Sequence, residues 1–303
     1  MLTLRIIVGS ALKWLAFVLL SLFWMTAAIL SRFITADANV PLSWARRFWS
    51  RGCLSITGCT LTIAPGFVPE PDKPYIFAMN HQSMFDIPVA FVGIPVPLRF
   101  IAKKILKAIP FLGWYMMATG MIFVDRRNRE QALRSLDDAC ALIRSGKCVL
   151  VYPEGTRAQP GGPILPFKKG PFVMAIQAGV PIVPVAIEGG ARVLPRDSLR
   201  VVPTAIRLAL GQPIATAGLQ PEDLEGLMER VRNAVIDLNL SIGGVGGDKT
   251  ATVAAAGARS AASRSACACA MRRALNAPKR REKNPATTSG MSVTAMLLVL
   301  LRR

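Results

Sequence analysis

The chain has 303 residues, enough for one large domain with attached segments but too few for a second catalytic domain of ordinary size. An apolar share of 52% and a mean hydropathy of +0.39 exceed the globular norm and indicate that part of the protein meets lipid. The formal charge of +19 suits anionic lipid, phosphorylated ligands or nucleic acid, but residues 243–303 hold 11 Lys/Arg against two Asp/Glu, so nearly half the excess lies in a tail.

Trp14 to Ser31 is an uncharged, mostly apolar run of 18 residues closed by Arg32, which predicts a retained membrane segment. The competing reading is a secretory signal peptide, with Arg5 as its basic start and Ala36-Asp37-Ala38 as a cleavage site. The run exceeds the usual apolar core of about 7–15 residues, which favours retention. Residues 41–59 mix Trp44, Phe48, Trp49, Leu54 and Ile56 with Arg46, Arg47 and Arg51, the composition of an interfacial amphipathic helix. Joined near residues 35–40, the two helices are able to enter one leaflet together.

From about Ser55 to Leu210, short β-branched and aromatic runs alternate with helical stretches, the pattern of an α/β domain with a mixed, largely parallel sheet flanked by helices. Strands are expected near 55–63, 75–79, 97–101, 120–124, 147–152, 181–187 and 202–210, and helices over 83–93, 129–145, 168–178 and 221–241. After Ser241 a Gly-, Ala-, Ser- and Arg-rich composition predicts a flexible basic tail, and its last apolar stretch, Met296 to Leu301, is too short to cross a bilayer. The domain plan is therefore N-terminal membrane helices over 1–58, a catalytic domain over 59–242 and a tail over 243–303. Six cysteines without C-x-x-C pairing and a single histidine argue against a zinc site and for a reduced, cytosol-facing chain.

Three strand ends carry the chemistry. Asn80-His81-Gln82-Ser83-Met84-Phe85-Asp86 follows the apolar run Y-I-F-A-M, so it opens at the carboxyl end of a strand, where ligands of α/β sheets bind. Histidine titrates near neutral pH and a carboxylate fixes its tautomer, so His81 and Asp86 suit general-base work. On one straight helix they would lie roughly 140° apart, at roughly 100° per residue, so a turn must intervene. Ser83 is a natural N-cap that would place Asp86 in the first helical turn. Taken alone the pattern fits a structural histidine and a capping aspartate better than a catalytic pair, but His81 is the only histidine available.

Tyr152-Pro153-Glu154-Gly155-Thr156-Arg157 opens at the same edge after C-V-L-V, with Gly155 permitting close backbone approach and Arg157 offering a planar fork for phosphate. Gly120 to Arg126 adds Asp125 and Arg126 at a third strand end, followed by Arg127 and Arg129, which read as a solvated charge run.

These blocks resemble the motifs of the glycerolipid acyltransferase family that includes 1-acylglycerol-3-phosphate acyltransferases: N-H-x-x-x-x-D at Asn80–Asp86, G-x-I-F-V-D-R at Gly120–Arg126 and P-E-G-T-R at Pro153–Arg157. The apolar block Val180 to Val185 follows in the family's order, and the resemblance covers about residues 40–240. It implies that His81 deprotonates an acceptor hydroxyl that attacks an acyl thioester, with Asp86 orienting the histidine. It further implies that Arg126 and Arg157 hold the acceptor's phosphate, that Glu154, Gly155 and Thr156 shape that pocket, and that Lys103 and Lys104 add charge. No cofactor or metal is implied beyond acyl-CoA or acyl carrier protein as co-substrate. The implied partners are membrane lipid, lysophosphatidate and the acyl donor, without specific nucleic acid.

The expected place is a membrane, such as a bacterial inner membrane, with the catalytic domain facing the cytoplasm. Ala158 stands where the family often has Ser, and Val173 where a polar residue is common, which bears on acceptor preference. The rival readings are acylation of another lysolipid or of glycerol 3-phosphate, and a non-catalytic basic protein that binds membrane or nucleic acid.

Overall fold

A computed structural model describes residues 2–125, 129–195 and 198–249 of the chain. Arg126, Arg127 and the tail beyond Lys249, with Cys267, Cys269 and Met296–Leu301, lie outside the described residues.

The chain opens with α1 (Leu2–Ser31), continues through a short turn into α2 (Asn39–Trp44), a π-helical turn (Ala45–Trp49) and α3 (Ser50–Thr57). The α1 helix is longer than the expected span because Leu2 to Lys13, which holds no proline, joins it. The second segment folds back along α1: Lys13 Nζ donates to the Thr57 carbonyl (3.1 Å), Trp49 Nε1 donates to Ser21 Oγ (3.0 Å), and Phe48 stacks on Trp24 with ring centroids 5.0 Å apart. Gly52 allows this approach, since a Cβ there would come within 2.7 Å of Leu20.

Residues 55–57, expected as strand, belong to α3. Gly58 at φ +72° ends that helix, with Cys59 N–H returning to the Leu54 carbonyl, and only then does β1 (Thr60–Ile63) begin.

The remaining elements are β2 (Ile76–Met79), α4 (Asp86–Gly93), β3 (Leu98–Lys103), a 3-10 turn (Lys104–Ala108), α5 (Leu112–Ala118), β4 (Ile122–Val124), α6 (Arg129–Arg144), β5 (Cys148–Val151), α7 (Gly170–Ala178), β6 (Ile182–Glu188), α8 (Gly190–Val193), β7 (Ala205–Leu210) and α9 (Leu224–Ser241). All seven expected strands join one sheet in the order β1-β7-β6-β2-β5-β3-β4. Every pair is parallel except β6 with β7, so the sheet is mixed and largely parallel.

Both faces of the central strands are buried, as parallel sheets require. Along β2, Phe77 and Met79 face a core shared with α3 and α4, while Ile76 and Ala78 face one shared with α6, α7 and α9. The two-residue alternation thus fills two apolar layers on a four-residue strand.

The start of the expected tail is docked. Ile164 N–H donates to the Gly246 carbonyl (2.8 Å), Gly246 N–H to Asn239 Oδ1 (2.9 Å), and Lys249 pairs with Asp237 at 2.6 Å.

Candidate active site

Parallel strands β2, β3, β4, β5 and β6 bring residues 80–82, 103–104, 125, 152–157 and 188–190 to one edge of the sheet. At that edge Asn80 uses its side chain as a short extension of β2. Its Nδ2 donates to the Ile187 carbonyl (3.0 Å) and its Oδ1 accepts from Ile187 N–H (2.8 Å), so pairing with β6 continues while the backbone turns away.

The turn brings His81 and Asp86 together. His81 Nδ1 donates to Asp86 Oδ2 at 2.8 Å, and the same oxygen accepts the backbone N–H groups of Gln82 (2.7 Å) and Ser83 (2.8 Å). Ser83 is not the helix cap that the sequence pattern suggests. The helix begins at Asp86 itself, Ser83 Oγ accepts only from Phe85 N–H (3.3 Å), and the carboxylate reaches back over the loop.

Three donors on one oxygen hold Asp86, which is fully buried, while the His81 side chain keeps 18% exposure. With Nδ1–H committed to the carboxylate, Nε2 is the nitrogen left to accept a proton. Among the described residues it has no hydrogen-bond partner. Gly190, the first residue of α8, closes the site from behind, since a Cβ there would overlap Asp86 Oδ1. Only glycine fits at that position without displacing the carboxylate.

The loop after β5 grips His81 from its other side. Glu154 is 2% exposed; its Oε1 accepts His81 N–H (2.7 Å) and its Oε2 accepts Leu165 N–H (2.9 Å). Both oxygens are therefore committed to backbone donors. Burial pushes the Glu154 carboxyl up to about 7, against the opposing pull of those two N–H groups.

Ala158 N–H donates to the His81 carbonyl (2.8 Å), so the family's frequent Ser is not needed for this backbone bond, and the buried Ala158 side chain packs inside. Tyr152 lies flat on the imidazole, with ring centroids 4.0 Å apart and 20° between planes. Burial, with the nearby Asp86 charge, holds its phenol well above the usual tyrosine range.

The expected cations are placed unevenly. Arg157, one residue before the Ala158 bond to His81, is half-buried and makes no ion pair or hydrogen bond among the described residues. Gly155 turns at φ +70°, and Thr156 is exposed on the same turn. Lys103 and Lys104 are exposed at the end of β3, and Lys104 pairs with Asp125 at 3.6 Å.

Sequence reasoning missed Tyr152 and Gly190, whose roles depend on packing, and Lys168. A Cβ on Gly155 would stand 3.0 Å from Lys168 Nζ, so this ammonium overlies the P-E-G-T turn. The pair Lys168-Lys169 before Gly170 was its only signal.

A histidine clamped by a buried carboxylate, its second nitrogen open at the carboxyl edge of a parallel sheet, defines an α/β protein equipped for general-base chemistry. Residues 65–188 match the family described as Acyltransferase. The 1-acyl-sn-glycerol-3-phosphate acyltransferase of Saccharomyces cerevisiae is 35% identical over 173 residues, which is 56% of this chain and 57% of that protein. The human 1-acyl-sn-glycerol-3-phosphate acyltransferase alpha is 33% identical over 180 residues, 58% and 63% of the two chains. The chain thus spans little more than half the length of these curated relatives.

Among solved structures, the 1-acyl-sn-glycerophosphate (LPA) acyltransferase PlsC of Thermotoga maritima matches with a TM-score of 0.67 at 25% identity, over 78% of this chain and 95% of that one.

Proposed function

We propose that the protein transfers a fatty acyl group from acyl-CoA or acyl carrier protein to the sn-2 hydroxyl of 1-acylglycerol 3-phosphate, forming phosphatidate. One observation carries this reading: the loop that presents Arg157 is hydrogen-bonded to the backbone of the base, so a phosphate held by Arg157 would bring its own glycerol hydroxyl to His81. Nε2 removes the hydroxyl proton as that oxygen attacks the thioester carbonyl. The carbon–sulfur bond then breaks, and the departing thiolate takes the proton back from the imidazolium. The products are an ester and a free thiol. Asp86 and the face of Tyr152 both favour the imidazolium that forms between these steps. Glu154 acts as a positioning residue that fixes the loop, and Thr156, Lys103, Lys104 and Lys168, with Arg126 from outside the described residues, are the further donors we assign to the phosphate.

The test is an assay with lysophosphatidate, glycerol 3-phosphate and a phosphate-free monoacylglycerol, each with both donors. Arg157→Ala should raise KM for lysophosphatidate by about 10- to 100-fold, the equivalent of the roughly 1.5–3 kcal/mol of a hydrogen bond to a charged group. The phosphate-free acceptor should be unaffected, and an equal loss on it would remove Arg157 from the phosphate site.

The membrane reading rests on α1, which over Ile7–Ser31 is long and apolar enough to cross a bilayer. It lies against the domain for most of its length. Ser10 Oγ accepts Val201 N–H (3.3 Å), Trp14 Nε1 donates to the Leu199 carbonyl (2.8 Å), and Leu22, Phe23 and Leu30 line a groove with Phe111. A crossing helix would separate from the domain at one end, so α1 lies in one leaflet with Leu12, Leu15, Leu19 and Phe23 outward. The four described cysteines are free and buried, which fits a reducing, cytoplasmic side. Membrane-impermeant labelling of cysteines placed at both ends of α1 in sealed vesicles should mark both from one side; labelling from opposite sides would show a crossing.

A further inference from the structure

Apart from Lys104, the segment between β3 and β4 has no role in the chemistry above, and it carries an unusual surface. At the N-cap of α5 and along it, the exposed positions Phe111, Trp114 and Met117 recur at three-residue steps and are all large and apolar, 38%, 50% and 43% exposed. The opposite positions, Gly113 and Met116, are buried in the core. A surface helix of a soluble domain puts polar residues outward, whereas this one is apolar on both faces. Ile105, in the preceding 3-10 turn, adds a fourth exposed apolar side chain at 59%.

The backbone is bent to present this face. Phe111 takes φ +59° and ψ −55°, a region that a bulky residue occupies only under constraint. The constraint is local: Gly113 N–H donates to the Ile109 carbonyl (2.7 Å) and Tyr115 N–H to the Phe111 carbonyl (2.8 Å). The result sets the Phe111 ring 5.3 Å from that of Trp114, and across an open groove of about 390 Å³ from Leu22, Phe23 and Leu30 of α1. The apolar face of α5 is therefore continuous with that of α1.

Charge selects the occupant. Between Asp86 and Asp125 the chain has no acidic residue, while Lys103, Lys104 and Lys107 are exposed on this same segment. The segments that pack beside it agree: residues 1–36 and 38–69 also lack any carboxylate side chain, and the second holds Arg46, Arg47 and Arg51. Asp37 and Asp125, the latter paired with Lys104, are the exceptions, and an aromatic and aliphatic face bordered mainly by cations suits the interface of an anionic bilayer, where tryptophan prefers the headgroup level and lysines meet phosphates.

We propose that residues 104–118 form a second lipid-contacting foot beside α1, which seats Trp114, Phe111 and Met117 in the interface of an anionic bilayer. The proposal rests on α1 facing lipid as described above. Two feet, one on α1 and one beyond β3, fix the tilt of the domain where α1 alone would leave it free to roll. They hold the sheet edge carrying Lys103 and His81 at a set height over the membrane.

The test uses the full chain and vesicles of equal parts phosphatidylcholine and phosphatidylglycerol, with lipids brominated high or low on their chains. Subtracting the emission of Trp114→Phe from that of the wild type isolates Trp114 among the five tryptophans. The expected result is a blue shift of that component on adding vesicles, with stronger quenching by the shallow bromines. A Trp114 component that is neither shifted nor quenched while the remaining tryptophans are quenched overturns the proposal. So does one already blue-shifted without vesicles and sensitive to protein dilution, because a second copy would then cover the face.

The variant carrying Phe111→Ser, Trp114→Ser and Met117→Ser should bind these vesicles at least about tenfold more weakly, from the apolar area removed. Unchanged binding counts against the foot. Quenching is read without substrate, so a protein that passes this test yet transfers no acyl group would sink the proposed reaction and leave the foot standing.

Discussion

His81→Ala is expected to lower the rate of acyl transfer by about 10² to 10⁴-fold, the usual range for a positioned general base. The loss should fall on kcat, because the imidazole makes its decisive contact in the transition state and contributes little to holding either substrate. Asp86→Asn should approach the same loss although it keeps the shape of the side chain. An asparagine either turns its amide N–H towards His81, which forces the ring into the wrong tautomer, or keeps its oxygen there without the charge that stabilises the imidazolium.

The aspartate also accepts the N–H groups of Gln82 and Ser83, so its replacement loosens the loop as well as the base. The double variant should therefore be little worse than either single one, because the two residues act as a unit. Steady-state kinetics on the three variants checks this. Near wild-type turnover in His81→Ala would sink the mechanism, and losses that multiply in the double variant would mean that Asp86 works independently of the histidine.

The central strands β2, β5 and β6 were legible because each is a short apolar run whose two faces are both buried, so composition alone marks it. The helices at 129–144 and 224–241 were legible from their periodicity. What failed were α5 and the last turn of α3. The α5 helix lies between Pro110 and Gly120 and has no polar face, so no amphipathic signal exists for it. Residues 55–57 read as strand because Ile56 and Thr57 are β-branched, but the packing of α3 on α1 and α4 holds them helical.

At the site, the pairing of His81 with Asp86 followed from residue types and spacing, whereas its geometry did not. Three donors converge on Asp86 Oδ2, and two of them are backbone groups that leave no mark on a sequence. Glu154 shows the same limit. Its motif suggested a wall of the phosphate pocket, while the oxygens face backbone N–H groups of His81 and Leu165, partners that any residue type would supply.

Glu154→Gln should make the largest change in how stability depends on pH. The buried carboxyl of Glu154 has its folded value raised from the ordinary 4.5 to about 7, chiefly by desolvation. Between these values the folded chain keeps a proton that the unfolded chain has released. Stability therefore falls as pH rises through this window and levels off above it, a drop on the order of 3 kcal/mol for this one group at about 1.4 kcal/mol per unit.

Glutamine does not titrate, so this slope disappears in the variant, and the difference between the two proteins moves in favour of the variant as pH rises. Glutamine also has a single acceptor oxygen for two backbone donors. One N–H, of His81 or of Leu165, is left facing an amide N–H, at a cost of roughly 1–3 kcal/mol that does not depend on pH. If His81 N–H is the one released, the loop shifts by a fraction of an ångström to an ångström and kcat falls by up to about 10²-fold, while both KM values hold. Denaturant unfolding at a series of pH values, beside kcat, separates the two effects. Parallel stability profiles for wild type and variant would show that Glu154 is not a buried titrating group. An unchanged kcat would show that its bond to His81 does not position the base.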